Sequence, residues 1–398
     1  MNIWLILLMV CILVLVGVMP VLIAIPLNGL TIWGQILGML NIGGQALFVW
    51  FVVLSVLMFF LISFRLARRN SFLANHSKLF FDLLAPWFVF SIYLIANFLL
   101  ISYGKVNSTQ SMEKVILFAL KGILTGLFSV LWLVIDKRNS ILKIEKAIFA
   151  FGLVEVFFLT GVYLSGNFTR IMIFGLNPIW LARDLGISLL AALSIFKNKA
   201  MRLLAIFIMV LGIVLTRSRG PLIALAISLF AVYSHKSLKS KKYGKLAPSI
   251  VVLSLLGIIS ILGVGADDYF VRGESSFLEE RNVSARILLY KSAWNDFLDS
   301  PVLGKGVGSF LHYGHTYPHN IVLELMAETG LLGLVLFLIA LRPRSMFSFN
   351  NRFAVYMLFS LITTMFSGDL EKNAYLVAFS ILSHYEIITE RLARRLER

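Results

Sequence analysis

The sequence predicts an all-α protein, a polytopic membrane bundle of about twelve transmembrane helices with one large outward loop that contains an amphipathic helix. Three observations predict it. The chain of 398 residues is 59% hydrophobic and only 14% charged, whereas soluble domains carry about one quarter charged residues. Its mean hydropathy is +0.89. The apolar residues also fall in separate runs of near-spanning length, which makes a bilayer the solvent for most side chains.

The runs lie near 3–25, 46–64, 79–101, 115–135, 147–165, 179–196, 203–216, 221–234, 246–265, 319–341, 353–367 and 374–388. The first has no Lys or Arg ahead of it and exceeds 20 residues, so it reads as a retained helix and not as a cleaved leader. It holds the single cysteine, Cys11, which excludes disulfides and thiolate metal clusters. Residues 27–45 are uncharged, glycine-rich and too polar for a span; they suit an interfacial or re-entrant piece. The seventh and eighth runs hold only about 14 residues each, short for a crossing at 1.5 Å per residue. Their junction, TRSRGP, suits the wall of a site.

The net charge of +16 does not indicate nucleic acid, because the basic residues punctuate the apolar runs. Alternate connections hold 23 of the 36 Lys and Arg, and the opposite set holds 11. The positive-inside rule then puts both termini in the cytoplasm and segment 266–318 on the outer, periplasmic side. Three regions follow: N-terminal helices over 1–202, a central region over 203–341, and C-terminal helices over 342–398.

The chemistry gathers in the central region. Arg217 and Arg219 flank a turn for which Gly220 supplies flexibility and Pro221 a preset helix start. An arginine fork can clamp a diphosphate, or the pair can snorkel to lipid headgroups. Arg286 lies in SARILLYKSAWNDFLDS, where Ile287, Tyr290, Trp294 and Phe297 recur at helical spacing. That pattern fits a helix on the membrane surface whose Arg286 and Lys291 meet either a substrate or lipid phosphates. A flexible run of Gly304, Gly306 and Gly308 follows.

His319 opens the tenth apolar run. The positive end of a helix dipole there favours a neutral, proton-accepting imidazole, as a general base requires, although a structural histidine at the interface fits equally. Asn320, Glu324 and Glu328 share one stripe of that helix. The two carboxylates need cationic partners, for which Arg183 and Lys121 lie inside other spans, and serve either as bundle glue or as part of a cavity. Asp184 neutralises its neighbour Arg183 behind a helix start at Asn177 and Pro178. Asp267 and Asp268 are a poor metal site, solvation being the simpler reading. No internal repeat marks a transporter.

In order and spacing, TRSRGP, SARILLYKSAWNDFLDSPVLGKGVGSF and TYPHNIVLELMAETGLLG resemble the O-antigen ligase and polymerase superfamily of bacterial inner-membrane glycosyltransferases, over about residues 203–341. The resemblance implies transfer of a glycan from undecaprenyl diphosphate, with inversion and without metal or other cofactor. The acceptor is lipid A core in a ligase and a second lipid-linked glycan in a polymerase. It also implies that Arg219 and Arg286 bind the diphosphate, with Arg217 extra to the motif, and that His319 activates the acceptor hydroxyl. Asn320, Glu324 and Arg183 are candidates for a supporting role. His312 and His315 have no place in the pattern and are assigned none.

Overall fold

A computed structural model describes residues 14, 16–25, 27, 72–103, 108–136, 140–166, 177–239, 283–348, 351–367, 370, 372–373 and 375–396. In chain order the helices are α1 (Val18–Ala24), α2 (Phe72–Asn97, continued by a π turn Phe98–Ser102) and α3 (Ser108–Phe118). A second π turn, Ala119–Leu124, leads to α4 (Thr125–Ile135), then come α5 (Ser140–Leu164), α6 (Pro178–Ile195), α7 (Lys199–Leu215) and α8 (Arg219–Lys239). The series ends with α9 (Val283–Asp299), α10 (Ile321–Leu341), a 3-10 turn Pro343–Phe347, α11 (Arg352–Thr364) and α12 (Tyr375–Leu396).

Among the described residues five helices are long and apolar enough to cross a membrane: Lys78–Ser102, Ser111–Ile135, Ser140–Leu164, Pro178–Ile195 and Ile321–Leu341. The expected runs 46–64 and 246–265, the segment 28–45 and the loop stretch 266–282 lie outside the described residues. The two runs that looked short belong to helices of 17 and 21 residues. Lys199 and Arg202 extend α7, and His235 with the residues after it extends α8. The helical backbone therefore continues past the end of its apolar stretch.

The chain divides into two compact units, Met1–Asn70 with Phe128–Val264, and Ser71–Leu127 with Gly265–Arg398. In the first, α5, α6 and α7 pack on one another, with α1 against α5 and α8 against α6. Small residues let the helices approach: a Cβ on Gly152 would strike Ser188, and one on Gly212 would strike Val156 and Leu185. Ser188 donates to the Ile148 carbonyl at 2.9 Å, a close interhelical contact typical of membrane packing. Asn177 caps α6 by accepting from Ile179 N–H at 3.0 Å, with Pro178 leading the helix as its sequence suggests. Leu203, Leu204, Phe207 and Leu211 stay exposed along α7, the face that hydrocarbon would cover.

In the second unit α2 and α10 run antiparallel. Trp87, Phe90, Phe118 and Phe337 interlock with ring centroids 5.5–6.3 Å apart, edge to face except for the tilted Trp87–Phe118 pair, burying large area at favourable ring geometry. Arg342, just past the end of α10, donates to the Asp82 carbonyl on α2.

α10 is broken in its middle. Gly330 takes φ 66° and ψ −169°, leaving backbone groups on both sides without helical partners. Segment 301–306 supplies them: Lys305 N–H donates to Ala327 O and Gly306 N–H to Glu328 O, each at 2.9 Å, while Leu331 N–H donates to Pro301 O at 2.8 Å and Leu332 N–H to Val302 O at 3.2 Å. Tyr93 Oη completes the set by donating to Thr329 O at 2.6 Å. Unpaired backbone groups in hydrocarbon cost several kcal/mol each, so a broken span persists only where protein satisfies it. The break lies nine residues into the helix, roughly 14 Å below its start at 1.5 Å per residue.

Candidate functional site

The segment after α9 is built as a plug for that break. The expected flexibility of Gly304, Gly306 and Gly308 is corrected here, because all three are buried with positive φ. A Cβ on Gly304 would overlap the backbone of Glu328, and one on Gly330 would overlap that of Val302. Glycine is needed for both the left-handed backbone and the close approach. Asn97 grips the same loop with both ends of its amide, donating to Leu303 O at 2.8 Å and accepting from Val307 N–H at 2.9 Å. Ser102 adds a bond to Val307 O at 2.9 Å.

α9 packs on α10 through Leu289 and Ala293, which join Phe310, Ala327 and Leu323 in one apolar cluster. Of the residues that recur at helical spacing, Ile287 and Trp294 are 48% and 47% exposed, as a helix on a membrane surface would have them. They form an outward stripe with exposed Lys291 and Leu298. Arg286 is half-buried and shares the inward face of Leu289, Ala293 and Asp296, at helical spacing. The structure thus separates Arg286 from Lys291, which the surface-helix reading had treated alike. Burial pushes the Tyr290 phenol up, an effect the Arg286 guanidinium one turn away partly offsets.

Asp296, 6% exposed, is a hub. Lys305 donates to its Oδ1 at 2.7 Å and to Asp299 Oδ2 at 2.8 Å, and His312 Nε2 lies 2.6 Å from Asp296 Oδ2. These bonds, that from Asp296 first, raise the Lys305 ammonium above its ordinary value. His312 and His315 form a two-residue hairpin, exchanging backbone bonds of 3.1 and 2.9 Å across Tyr313 and Gly314. Both turn residues have positive φ, 53° and 77°, the combination a tight hairpin of type I′ demands. The hairpin is therefore held by its own backbone bonds and, at His312, by Asp296.

His319 is 1% exposed. Its ring meets Tyr317 at 4.6 Å and His315 at 5.7 Å, both edge to face. The Lys372 ammonium sits 4.8 Å from the Tyr317 ring centroid. The helix-start expectation shifts by two residues. Asn320 is the cap, accepting from Val322 and Leu323 N–H at 3.0 and 3.2 Å, and His319 precedes it with φ 60°. A left-handed non-glycine residue costs of order 1–3 kcal/mol and persists where its surroundings hold it; here it turns the imidazole inward.

Glu324 and Glu328 are 1% and 2% exposed. A cation that the sequence did not single out, Lys114 of α3, pairs with both. Its ammonium contacts Glu324 and donates to both Glu328 oxygens at 2.9 and 2.7 Å. Glu324 also accepts from Leu370 N–H at 3.1 Å, tying down the loop that carries Lys372. Lys114, Asp296 and Lys372 carry no local sequence signal, since each acts on residues distant in the chain.

In the other unit Arg217 closes α7 in the left-handed conformation, φ 53°, with Thr216 accepting from Ser218 N–H at 3.2 Å. The turn is made by Arg217 and not by Gly220, and Pro221 is the third residue of α8. Arg219 is the first. Both guanidiniums are exposed and make no side-chain hydrogen bond or ion pair among the described residues. Arg183 Nε lies 3.8 Å from Asp184 Oδ1 as its neighbour suggested. Among the described residues no group of three or more His, Cys, Asp or Glu converges as a metal site; Asp267 and Asp268 lie outside them.

Residues 204–338 match a family model described as O-Antigen ligase. No curated protein matches the chain. The matched stretch begins within α7 and ends within α10, taking in Arg217, Arg219, Arg286, His312, His315, His319, Asn320 and both glutamates.

Proposed function

From its place in the O-antigen ligase superfamily, which the match over residues 204–338 supports, we propose that this membrane protein is an inverting, metal-independent glycosyltransferase of the bacterial inner membrane. It moves a glycan from undecaprenyl diphosphate to a sugar hydroxyl at the periplasmic face, with both termini cytoplasmic. The acceptor is lipid A core in the ligase reading, preferred narrowly over a polymerase that extends a second lipid-linked glycan. A flippase or exporter is the weaker alternative: it would gather its polar groups at mid-membrane in repeated halves.

The observation that carries the reading is the composition of the matched stretch, which holds Arg219, Arg286 and His319 together. In the proposed reaction the acceptor oxygen attacks the anomeric carbon while its proton passes to His319. The bond from that carbon to the diphosphate oxygen breaks, and the diphosphate leaves as an anion stabilised by Arg219 and Arg286, fixed cations doing the work of a divalent metal. Arg219 opens α8, where a cation opposes the helix dipole unless an anion is bound beside it. Arg286 shares the helix face of Leu289 and Ala293 and not the exposed stripe. Asn320 and Glu324 support His319 indirectly, by capping α10 and anchoring the loop beside Tyr317. Arg217 and Arg183 take no assigned step.

Deleting the gene tests the reading. A ligase predicts that the surface glycan is lost from its anchor while lipid-linked polymer accumulates. A polymerase predicts lipid-linked glycan arrested at a single repeat, and an unchanged glycan profile overturns both.

A further inference from the structure

A base enclosed as His319 is cannot hand its proton straight to water. Each turnover in the proposed reaction leaves one proton on an imidazole that is 1% exposed, and a charge held in such surroundings is costly. The proton has to leave before the next acceptor arrives. Two further histidines lie on the way out. The His315 ring is 5.7 Å from that of His319 and is half-buried, between interior and surface. His315 and His312 are a directly bonded cross-strand pair, a geometry that sets side chains on the same face with Cα atoms about 5.5 Å apart. His312 in turn is fixed by Asp296 at 2.6 Å, and its side chain is 35% exposed.

We propose that His319, His315 and His312 form a proton relay that ends at Asp296 and the surface. The inference rests on the reading of His319 as the proton acceptor. An imidazole can take a proton on one ring nitrogen and release one from the other, which no other neutral side chain here does near pH 7. Asp296 accepts from His312 Nε2, so Nδ1 is the nitrogen turned to receive. Lys305 bonds the other oxygen of Asp296 and shares Asp299, holding the terminal carboxylate in place. Phe310 packs on His312 at 4.8 Å and keeps its ring in that orientation. Beside His319, the Tyr317 ring carries the Lys372 ammonium over its face. The balance is simple: one proton enters from the acceptor hydroxyl and one leaves His312 Nε2 by way of Asp296 to water, with no redox change. The hairpin, which the family pattern does not include, thereby has a role.

The test uses membranes from a deletion strain carrying the full-length protein, with consumption of the cells' own lipid-linked glycan as readout. His315→Phe keeps a ring against His319 but carries no proton. It slows transfer about ten- to hundredfold, less than loss of the base itself. Added imidazole restores the rate in a concentration-dependent manner. His312→Gln keeps a donor to Asp296, shows a smaller loss and responds to imidazole in the same way, so a misfolded His315 variant does not decide the matter. Wild-type rates in both variants, or losses that imidazole leaves unchanged, overturn the relay while His319→Gln stays inactive. An active His319→Gln overturns the assignment of the base itself.

Discussion

Segment 300–320 and the turn 216–220 both offer cations and polar side chains, yet they use them in opposite ways. In the first, Lys305, His312 and Asn320 are each bound to a carboxylate or a backbone group, and the segment itself repairs a broken span. In the second, two exposed guanidiniums stand at a helix junction with no side-chain bond among the described residues. Polar groups near a bilayer first satisfy backbone and charge, because hydrocarbon will not. What remains after that demand is met is available for a ligand. By this measure the turn is equipped to receive something, and the segment is equipped to hold His319 still.

The sharpest way to break that contrast is to remove the group being held. His319→Ala is expected to lower transfer by about 10² to 10⁴, with donor still bound, as measured by photo-crosslinking of a polyprenyl diphosphate analogue. Lost crosslinking would turn His319 into a binding residue, and retained transfer would point to another base.

The available cations come next. Arg219→Lys and Arg286→Lys keep charge but lose the planar fork, and each is expected to slow transfer by about ten- to hundredfold, the equivalent of one charge-assisted bond. Lys291→Ala, on the exposed stripe of α9, should leave transfer close to wild type. Equal effects from Arg286 and Lys291 would mean that α9 meets lipid phosphates with both.

A third expectation concerns stability. Lys114→Met leaves two buried carboxylates without their cation, and breaking a buried pair costs about 3–5 kcal/mol. Thermal unfolding in detergent should show it, and adding Glu324→Gln with Glu328→Gln should recover part of the loss. A variant as stable as wild type would mean that the carboxylates are already neutral.

The physical basis of each feature decides how legible it was. The membrane class, the cap at Asn177 and the helix start near Asn320 are local patterns, and they stand in the structure. The Lys114 pair with Glu324 and Glu328 joins residues more than 200 positions apart, so no local pattern picks it out. On α9 the sequence showed the large apolar side chains but not the second, inward face of Leu289 and Ala293, which packs on residues 310–327. The break in α10 had a signal after all, a glycine in the middle of an apolar run, but its counterpart is the Gly304 loop, and only folding joins them.

The smallest expected effect is at Lys305, which bridges Asp296 and Asp299 beside the segment. Its folded value is raised, by the bond from Asp296 first and by Asp299 next. A raised lysine contributes stability that is fully present below its ordinary value of 10.5 and is lost only as pH rises through the higher folded value. Between pH 6 and 8 the bridge should therefore be constant. Lys305→Met is expected to lower stability by about 0.2–1 kcal/mol, the range of partly exposed ion pairs, and by the same amount at both pH values in thermal unfolding. Any change in the segment over that window then lies outside the Lys305 bridge. A Lys305→Met difference that varies between pH 6 and 8 would show that Lys305 and His312 compete for Asp296, and that the hub is not fixed.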